Sequence, residues 1–161
     1  MKKNDSFLGC EIPSPVGPLT LLATDKGLAG IHFQGRYEGE WSLGSSPILQ
    51  QTERELGEYF AGERTEFEVE LDVIGSDFQL SVWRELSRIP FGSLASYLDI
   101  AKAIDNPKAV RAVGLANGRN PVSIIVPCHR VIGSSGKLVG YGGGLERKRT
   151  LLVHEKAGLL F

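Results

Sequence analysis

Chemistry is most readable in this chain at Pro127-Cys128-His129-Arg130-Val131, where a thiol, an imidazole and a guanidinium stand side by side. The thiolate is the nucleophilic form of cysteine, and a nearby base, a cation or a helix N-terminus favours it. Pro127 is compatible with a turn of helix opening at Cys128. Successive residues of a helix point about 100° apart, so His129 is expected to reach Cys128 indirectly, for example through a water molecule. The imidazole would then need a third group to fix its tautomer and support its charge. The same five residues can be read as a buried structural cysteine behind an apolar strand, and the pair alone does not choose. The other cysteine, Cys10, lies in the run Phe7-Leu8-Gly9-Cys10-Glu11 with no adjacent base and reads as structural. His32, between Ile31 and Phe33, reads as a strand residue, and His154 as a structural residue of the last helix. Two scattered cysteines make neither a metal motif nor, in a reducing compartment, a disulfide.

Two unlike halves position these residues. The first reads as β then α. Phe7–Ile12 and Leu19–Thr24 are apolar runs separated by the helix-incompatible stretch Pro13–Pro18. Asp25-Lys26-Gly27 is a turn signal, and Leu28–Phe33 completes a hairpin. Ser46-Pro47 opens a helix that Gly62 ends, and the alternation Phe67–Leu71 predicts a half-exposed strand. The second half is mainly helical. Ser76-Asp77-Phe78-Gln79 is a capping box, with Phe78, Val82, Trp83 and Leu86 on one face. Ser96-Tyr97-Leu98-Asp99 opens a second helix. Asn106-Pro107 is expected to start a third, through about Ala116, and the two make a candidate helix-turn-helix. A strand over Val122–Val126, a glycine-rich stretch from Gly136 to Gly144, and a helix from about Glu146 to Lys156 complete the chain. The expected domains are 1–75 and 76–161.

Charge follows the same division. Residues 1–79 hold 6 Lys and Arg against 14 Asp and Glu, a net of −8, whereas residues 80–161 hold 12 against 5, a net of +7. The whole chain, at −1, conceals this. A basic half suits a polyanion, although two solvated surfaces of opposite sign would look alike in composition. No run of 18 apolar residues exists to span a membrane. The basic start lacks the apolar stretch and cleavage site of a secretory signal, so a cytoplasmic protein is expected.

Pro127-Cys128-His129-Arg130-Val131 resembles the signature of the O6-alkylguanine-DNA alkyltransferases. So do Arg111-Ala112-Val113-Gly114, Ala116-Asn117-Gly118-Arg119-Asn120-Pro121, Gly140-Tyr141-Gly142-Gly143-Gly144-Leu145 and Leu151-Leu152-Val153-His154-Glu155. Upstream, Phe78-Gln79, Val82-Trp83 and Ile89-Pro90-Phe91-Gly92 continue the match, which is dense from Ser76 to Leu160. It is looser earlier, at Ser14–Leu19 and Tyr59–Gly62. The resemblance implies a two-domain α/β protein. Its first domain would be ribonuclease H-like, a small antiparallel sheet plus a helix, and its second mainly α with a helix-turn-helix. It implies that Cys128 accepts the alkyl group of O6-alkylguanine, and by extension O4-alkylthymine, once and irreversibly. His129 would take the thiol proton through a water molecule, Glu155 would be the third group, and Asn120 would hold the turn before the active-site loop. Tyr97 would turn the target phosphate and bond the flipped base, and Arg111 would fill the vacated place in the base stack. Val131, Tyr141 and Gly142 would line the guanine pocket and Lys148 would support it.

The implied partner is double-stranded DNA bearing alkylated guanine, gripped through the minor groove. Lys108, Arg111 and Arg119 would be available to phosphates, and the small residues Ala109, Ala112, Gly114 and Ala116 would allow close approach. The protein would act as a monomer, with cooperativity along DNA left open, and with neither cofactor nor metal. Three departures bear on this: Gly142 for a serine, Thr150 for a frequent tryptophan, and Ser123 for a proline that shapes tolerance of bulky adducts. Rival readings are an alkyltransferase-like lesion-recognition protein, a cysteine hydrolase and a helix-turn-helix regulator. The first class lacks the reactive cysteine and the last would leave Cys128 unexplained. A hydrolase needs an oxyanion hole, of which the sequence gives no sign.

Overall fold

The computed structural model describes residues 7–133, 141 and 143–157, and the chain divides into one unit ending at Ile74 and a second beginning at Gly75. In the first unit four strands, β1 (Phe7–Ile12), β2 (Leu19–Ala23), β3 (Leu28–Phe33) and β4 (Trp41–Leu43), form a sheet ordered β3-β2-β1-β4. The central strand β2, Leu-Thr-Leu-Leu-Ala, is buried along its whole length, as an apolar run covered on both faces must be. Helix α1 (Pro47–Phe60) packs against it. Ser46 caps α1 by accepting from the Leu49 N–H at 3.2 Å, and Pro47 stands where a missing N–H costs nothing. Gly62, at φ +80°, takes the left-handed conformation that stops the helix.

Two expectations for this unit need correction. The sheet is mixed, because β4 runs parallel to β1, pairing Phe7 with Trp41 and Gly9 with Leu43. Residues 67–71 form no regular strand. They meet β3 only at an isolated bridge between Leu28 and Leu71, with the Leu28 N–H on the Glu70 carbonyl at 2.8 Å. Their alternation has another cause: Val69 is buried while the Glu68 and Val69 N–H groups turn to the Glu55 carboxylate of α1, at 2.9 and 3.3 Å. That carboxylate also takes the Gln51 side-chain N–H at 2.8 Å.

The second unit contains helices α2 (Asp77–Leu86), α3 (Tyr97–Ala103), α4 (Val110–Gly118) and α5 (Leu145–His154). The expected capping box of Ser76 with Gln79 forms, and Ser96 with Asp99 makes a second one. The buried Val82, Trp83 and Leu86 of α2 pack toward α4, and the Trp83 indole N–H donates to the Ala116 carbonyl at 2.8 Å. Two-residue strands β5 (Ala95–Ser96) and β6 (Val131–Ile132) pair in parallel. They tie the start of α3 to the segment after Cys128, a link too short to leave a periodicity.

Helix α4 starts three residues later than Asn106 as cap and Pro107 as first helical residue predicted. The reason lies at the end of α3, where Asp105 adopts φ +62° and the Asn106 N–H closes on the Ala101 carbonyl at 2.9 Å. That is a Schellman ending, and Pro107 occupies the turn that follows, with the Ala109 N–H on the Asn106 carbonyl at 2.9 Å. Ala109 therefore precedes α4 without a side-chain cap. Val122–Val126 is likewise not a strand. Val122 alone carries a bridge, the Val126 N–H turns back to the Val122 carbonyl at 3.0 Å, and Ile124 is held at φ +76°, a conformation β-branched residues rarely adopt.

Candidate active site

Cys128 opens a single turn of 3-10 helix, Cys128–Arg130, and is buried. A three-residue turn offers little dipole, and the Cys128 N–H is already spent on the Val126 carbonyl at 2.8 Å. The expectation of a thiolate favoured by its surroundings is therefore corrected. Burial pushes the thiol above its ordinary value of 9.0, although the Asn120 amide, the Tyr141 hydroxyl and the Lys148 ammonium oppose that rise. At rest the sulfur is a thiol and needs a base.

Asn120, buried just beyond α4, is shared between the loop and the sulfur. Its Oδ1 accepts from the Val122 N–H at 2.9 Å, while its Nδ2 donates to the Val126 carbonyl at 2.7 Å and to Cys128 Sγ at 3.1 Å. One side chain thus closes the turn that strains Ile124 and holds the thiol.

His129 and Glu155 are brought together from 26 residues apart, with His129 Nε2 and Glu155 Oε2 at 2.8 Å and both side chains fully enclosed. Glu155 is the residue that ends α5, and its position is fixed by a second left-handed turn, Lys156 at φ +56°. Burial would raise its carboxyl, but the bonds and charges of His129 and Arg130 outweigh this and hold it well below the ordinary 4.5. An ionised carboxylate can only accept, so Nε2 carries the proton and Nδ1 is the free basic atom. That Nδ1 is buried and has no hydrogen-bond partner among the described residues. Burial, reinforced by the positive charges of Arg130 and Lys148 and opposed by Glu155, keeps the imidazole below its ordinary 6.5.

The remaining candidates divide into two sets. Near the thiol lie Tyr97, whose hydroxyl is raised first by burial and then by the charge of Cys128, and Tyr141, half-buried. Lys148, fully buried, donates to the Val131 carbonyl at 2.6 Å and stands 5.9 Å over the Tyr141 ring. Burial lowers its amine from 10.5 to about 8, against the pull of Cys128. Ser123 is half-buried in the Asn120 loop. Arg111 and Arg119 form the other set, exposed with Lys108 along α4 and the turn before it. Ala112 shares that exposed face with Leu115, which is 63% exposed, whereas Ala116 is buried in the core and drops out of the close-approach set. Gly142 lies outside the described residues.

Two site residues make contacts that the sequence did not disclose. Arg130 turns its guanidinium onto Glu155, Nε to Oε1 at 2.8 Å and Nη2 to Oε2 at 2.9 Å, while Nη1 donates to the Ile89 carbonyl at 2.7 Å. Asn117 donates to the Cys128 carbonyl at 3.4 Å and leaves its buried Oδ1 without a hydrogen-bond partner among the described residues. Arg130 had been read only as a cation beside the thiol, and Asn117 stood in a family motif with no role attached. No group of three His, Cys, Asp or Glu side chains among the described residues could hold a metal ion, and no helix there is long and apolar enough to cross a membrane.

Comparison with known proteins bears on what this arrangement is for. Residues 77–157 match the family model of the 6-O-methylguanine DNA methyltransferase DNA binding domain, and residues 11–73 match that of the ribonuclease-like domain of the same proteins. A methylated-DNA–protein-cysteine methyltransferase of Mycolicibacterium paratuberculosis is 52% identical over 149 residues, 90% of each chain. One from Methanosarcina acetivorans is 49% identical over 147 residues, 88% of this chain and 94% of that one. Among solved structures, Mycobacterium tuberculosis OGT in complex with DNA superposes with a TM-score of 0.88 at 50% identity, covering 93% of each chain. An O6-methylguanine DNA methyltransferase from Methanococcus jannaschii does so at 0.66 and 26% identity, over 94% of this chain and 96% of that one. With both family models matched in order and half of the residues shared with such relatives, this chain belongs to the 6-O-methylguanine DNA methyltransferase family.

Proposed function

We propose that the protein repairs DNA by direct reversal, moving the alkyl group of O6-alkylguanine in duplex DNA onto Cys128, once per molecule. The observation that carries this reading is the buried Cys128 thiol next to a neutral His129 whose only free ring atom is the basic Nδ1. The thiol proton passes to His129, through a water molecule where the two do not meet directly. The sulfur then attacks the alkyl carbon, forming a C–S bond as the C–O6 bond breaks. The departing guanine takes up one proton, which restores the normal base. No group among the described residues of the site would return a thioether to a thiol, so transfer ends with S-alkylcysteine and Cys128 is an acceptor rather than a catalyst.

The other assignments are those the family resemblance implies, and they belong to the same proposal. Asn120 holds the sulfur and its loop. Tyr97, Tyr141 and the Val131 carbonyl border the base, with Lys148 bracing Val131 and Tyr141 and Ser123 bearing on the tolerance of bulky groups; Gly142 joins them on the family resemblance alone. A base inside a duplex must be extruded at a cost of a few kcal/mol. The exposed face of α4, with Arg111 as the inserted side chain and Arg119 and Lys108 on phosphates, suits an approach through the minor groove that ignores sequence and weakens with salt. Acceptance of O4-alkylthymine belongs to the same proposal, as does action in the cytoplasm.

Intact-mass and peptide analysis after incubation with an O6-methylguanine duplex tests the reading. One methyl group should appear on the peptide containing Cys128, with no product beyond one equivalent, and Cys128→Ser should abolish transfer while binding persists. An unchanged mass with retained binding of damaged DNA would favour lesion recognition, and sustained turnover would favour a hydrolase.

A further inference from the structure

The guanidinium of Arg130 is bonded to the same carboxylate that orients the base of the reaction. Glu155 Oε2 receives both His129 Nε2 and Arg130 Nη2, at 2.8 and 2.9 Å, and Oε1 receives Arg130 Nε at 2.8 Å. The third arm of the guanidinium is anchored on the Ile89 carbonyl beyond α2, and its flat face lies 5.9 Å from the Phe91 ring centroid. All three side chains are buried, Arg130 being 6% exposed and the other two 1% or less.

Charge balance in that enclosure decides the state of His129. With Arg130 present, the carboxylate is matched by one guanidinium, and the cluster is neutral only while His129 is neutral. With Arg130 absent, the enclosed carboxylate would be matched most cheaply by a proton on His129, because an unpaired buried charge is strongly disfavoured. A protonated His129 has no free basic atom and cannot take the thiol proton. The other charged group acting on His129 is Lys148 from α5, in the same direction as Arg130, while the neighbouring Cys128 is an uncharged thiol at rest.

We propose that Arg130 is a positioning residue for alkyl transfer: by occupying the Glu155 carboxylate it keeps His129 neutral and able to accept the thiol proton at physiological pH. A fork locked on both carboxylate oxygens also fixes the plane of Glu155, and hence the direction of His129 Nε2–H. The inference rests on the acceptor role of Cys128.

The test is the pH profile of single-turnover methyl transfer from an O6-methylguanine duplex, for the unmodified protein, Arg130→Met and Arg130→Lys. Each rate is normalised to the same protein's alkaline plateau. In the unmodified protein the acid limb should lie below pH 6.5. In Arg130→Met it should move up by about one pH unit or more, which is about tenfold in normalised rate on that limb. Arg130→Lys, which keeps the charge and loses the fork, should leave the limb near its original place while slowing the plateau. A lowered plateau with an unmoved limb in Arg130→Met would assign Arg130 a purely structural role and overturn the inference. If Arg130→Met does not fold, nitrogen-15 NMR of His129 in the unmodified protein decides. A neutral ring at pH 6.5 with Nδ1 bare is expected, and an imidazolium there overturns the proposal. Absence of transfer by the unmodified protein would instead overturn the acceptor reading, so the two failures are distinct.

Discussion

Glu55 in the first unit and Glu155 in the second are both carboxylates enclosed by protein, and both are held below their ordinary ionisation range. Their donors differ. Glu55 receives two backbone N–H groups, from Glu68 and Val69, and the Gln51 amide, none of which changes its charge near neutral pH. It fastens residues 67–69 to α1. Glu155 receives an imidazole and a guanidinium, so its charge is tied to the protonation of its neighbour. A buried carboxylate among neutral donors is a clamp; among titratable donors it becomes part of a proton path.

The comparison can be broken most sharply at Glu155. Glu155→Gln leaves Arg130 buried without an anion, which costs about 3–5 kcal/mol. It also withdraws support from His129, so transfer per folded molecule should fall by about a hundredfold or more. Urea unfolding and single-turnover rates measure the two effects, and near-normal transfer would remove Glu155 from the path. Glu55→Gln is expected to cost about 1–3 kcal/mol with transfer per folded molecule unchanged. If transfer falls as well, the division of labour between the two carboxylates fails. The same variant has a pH signature. A carboxyl depressed by folding adds stability above its unfolded value of 4.5, and that stability is lost as pH falls through the depressed folded value. Below pH 4.5 the unmodified protein should therefore lose stability more steeply than Glu55→Gln. Least costly are the caps: Ser46→Ala on α1 and Ser96→Ala on α3 should each cost about 1 kcal/mol. Thermal unfolding reads both, and a cost near zero at either would mean that the cap adds nothing there.

What the sequence disclosed follows the range of the interactions. Helices opened by Ser46-Pro47, Ser76 and Ser96 were legible because a cap is a contact between residues three apart. The strands of the hairpin were legible from apolar runs around Asp25-Lys26-Gly27. Failures came where a local motif was claimed by a neighbour: Asn106 served the end of α3 before it could cap α4, and the alternation at 67–71 served a side chain of α1. At the site, Cys128-His129 announced possible chemistry, but its neighbours could not be weighed from adjacency. Glu155 and Asn120 entered through the family resemblance, not through spacing. Arg130 was in view throughout, yet its partner lies 25 residues further on, a distance at which sequence carries no geometric signal.

The placement of Glu155 has a dynamic consequence. It is the closing residue of α5, and helix ends are where chains begin to fray. The turn after it relies on Lys156 at φ +56°, a conformation costing a non-glycine residue about 1–2 kcal/mol. The proton path therefore hangs on a terminus that is strained on one side and fastened on the other by the grip of Arg130. Its opening should be a local event, faster than global unfolding and visible as early amide exchange at residues 155–157. Warming should then silence the protein before it melts.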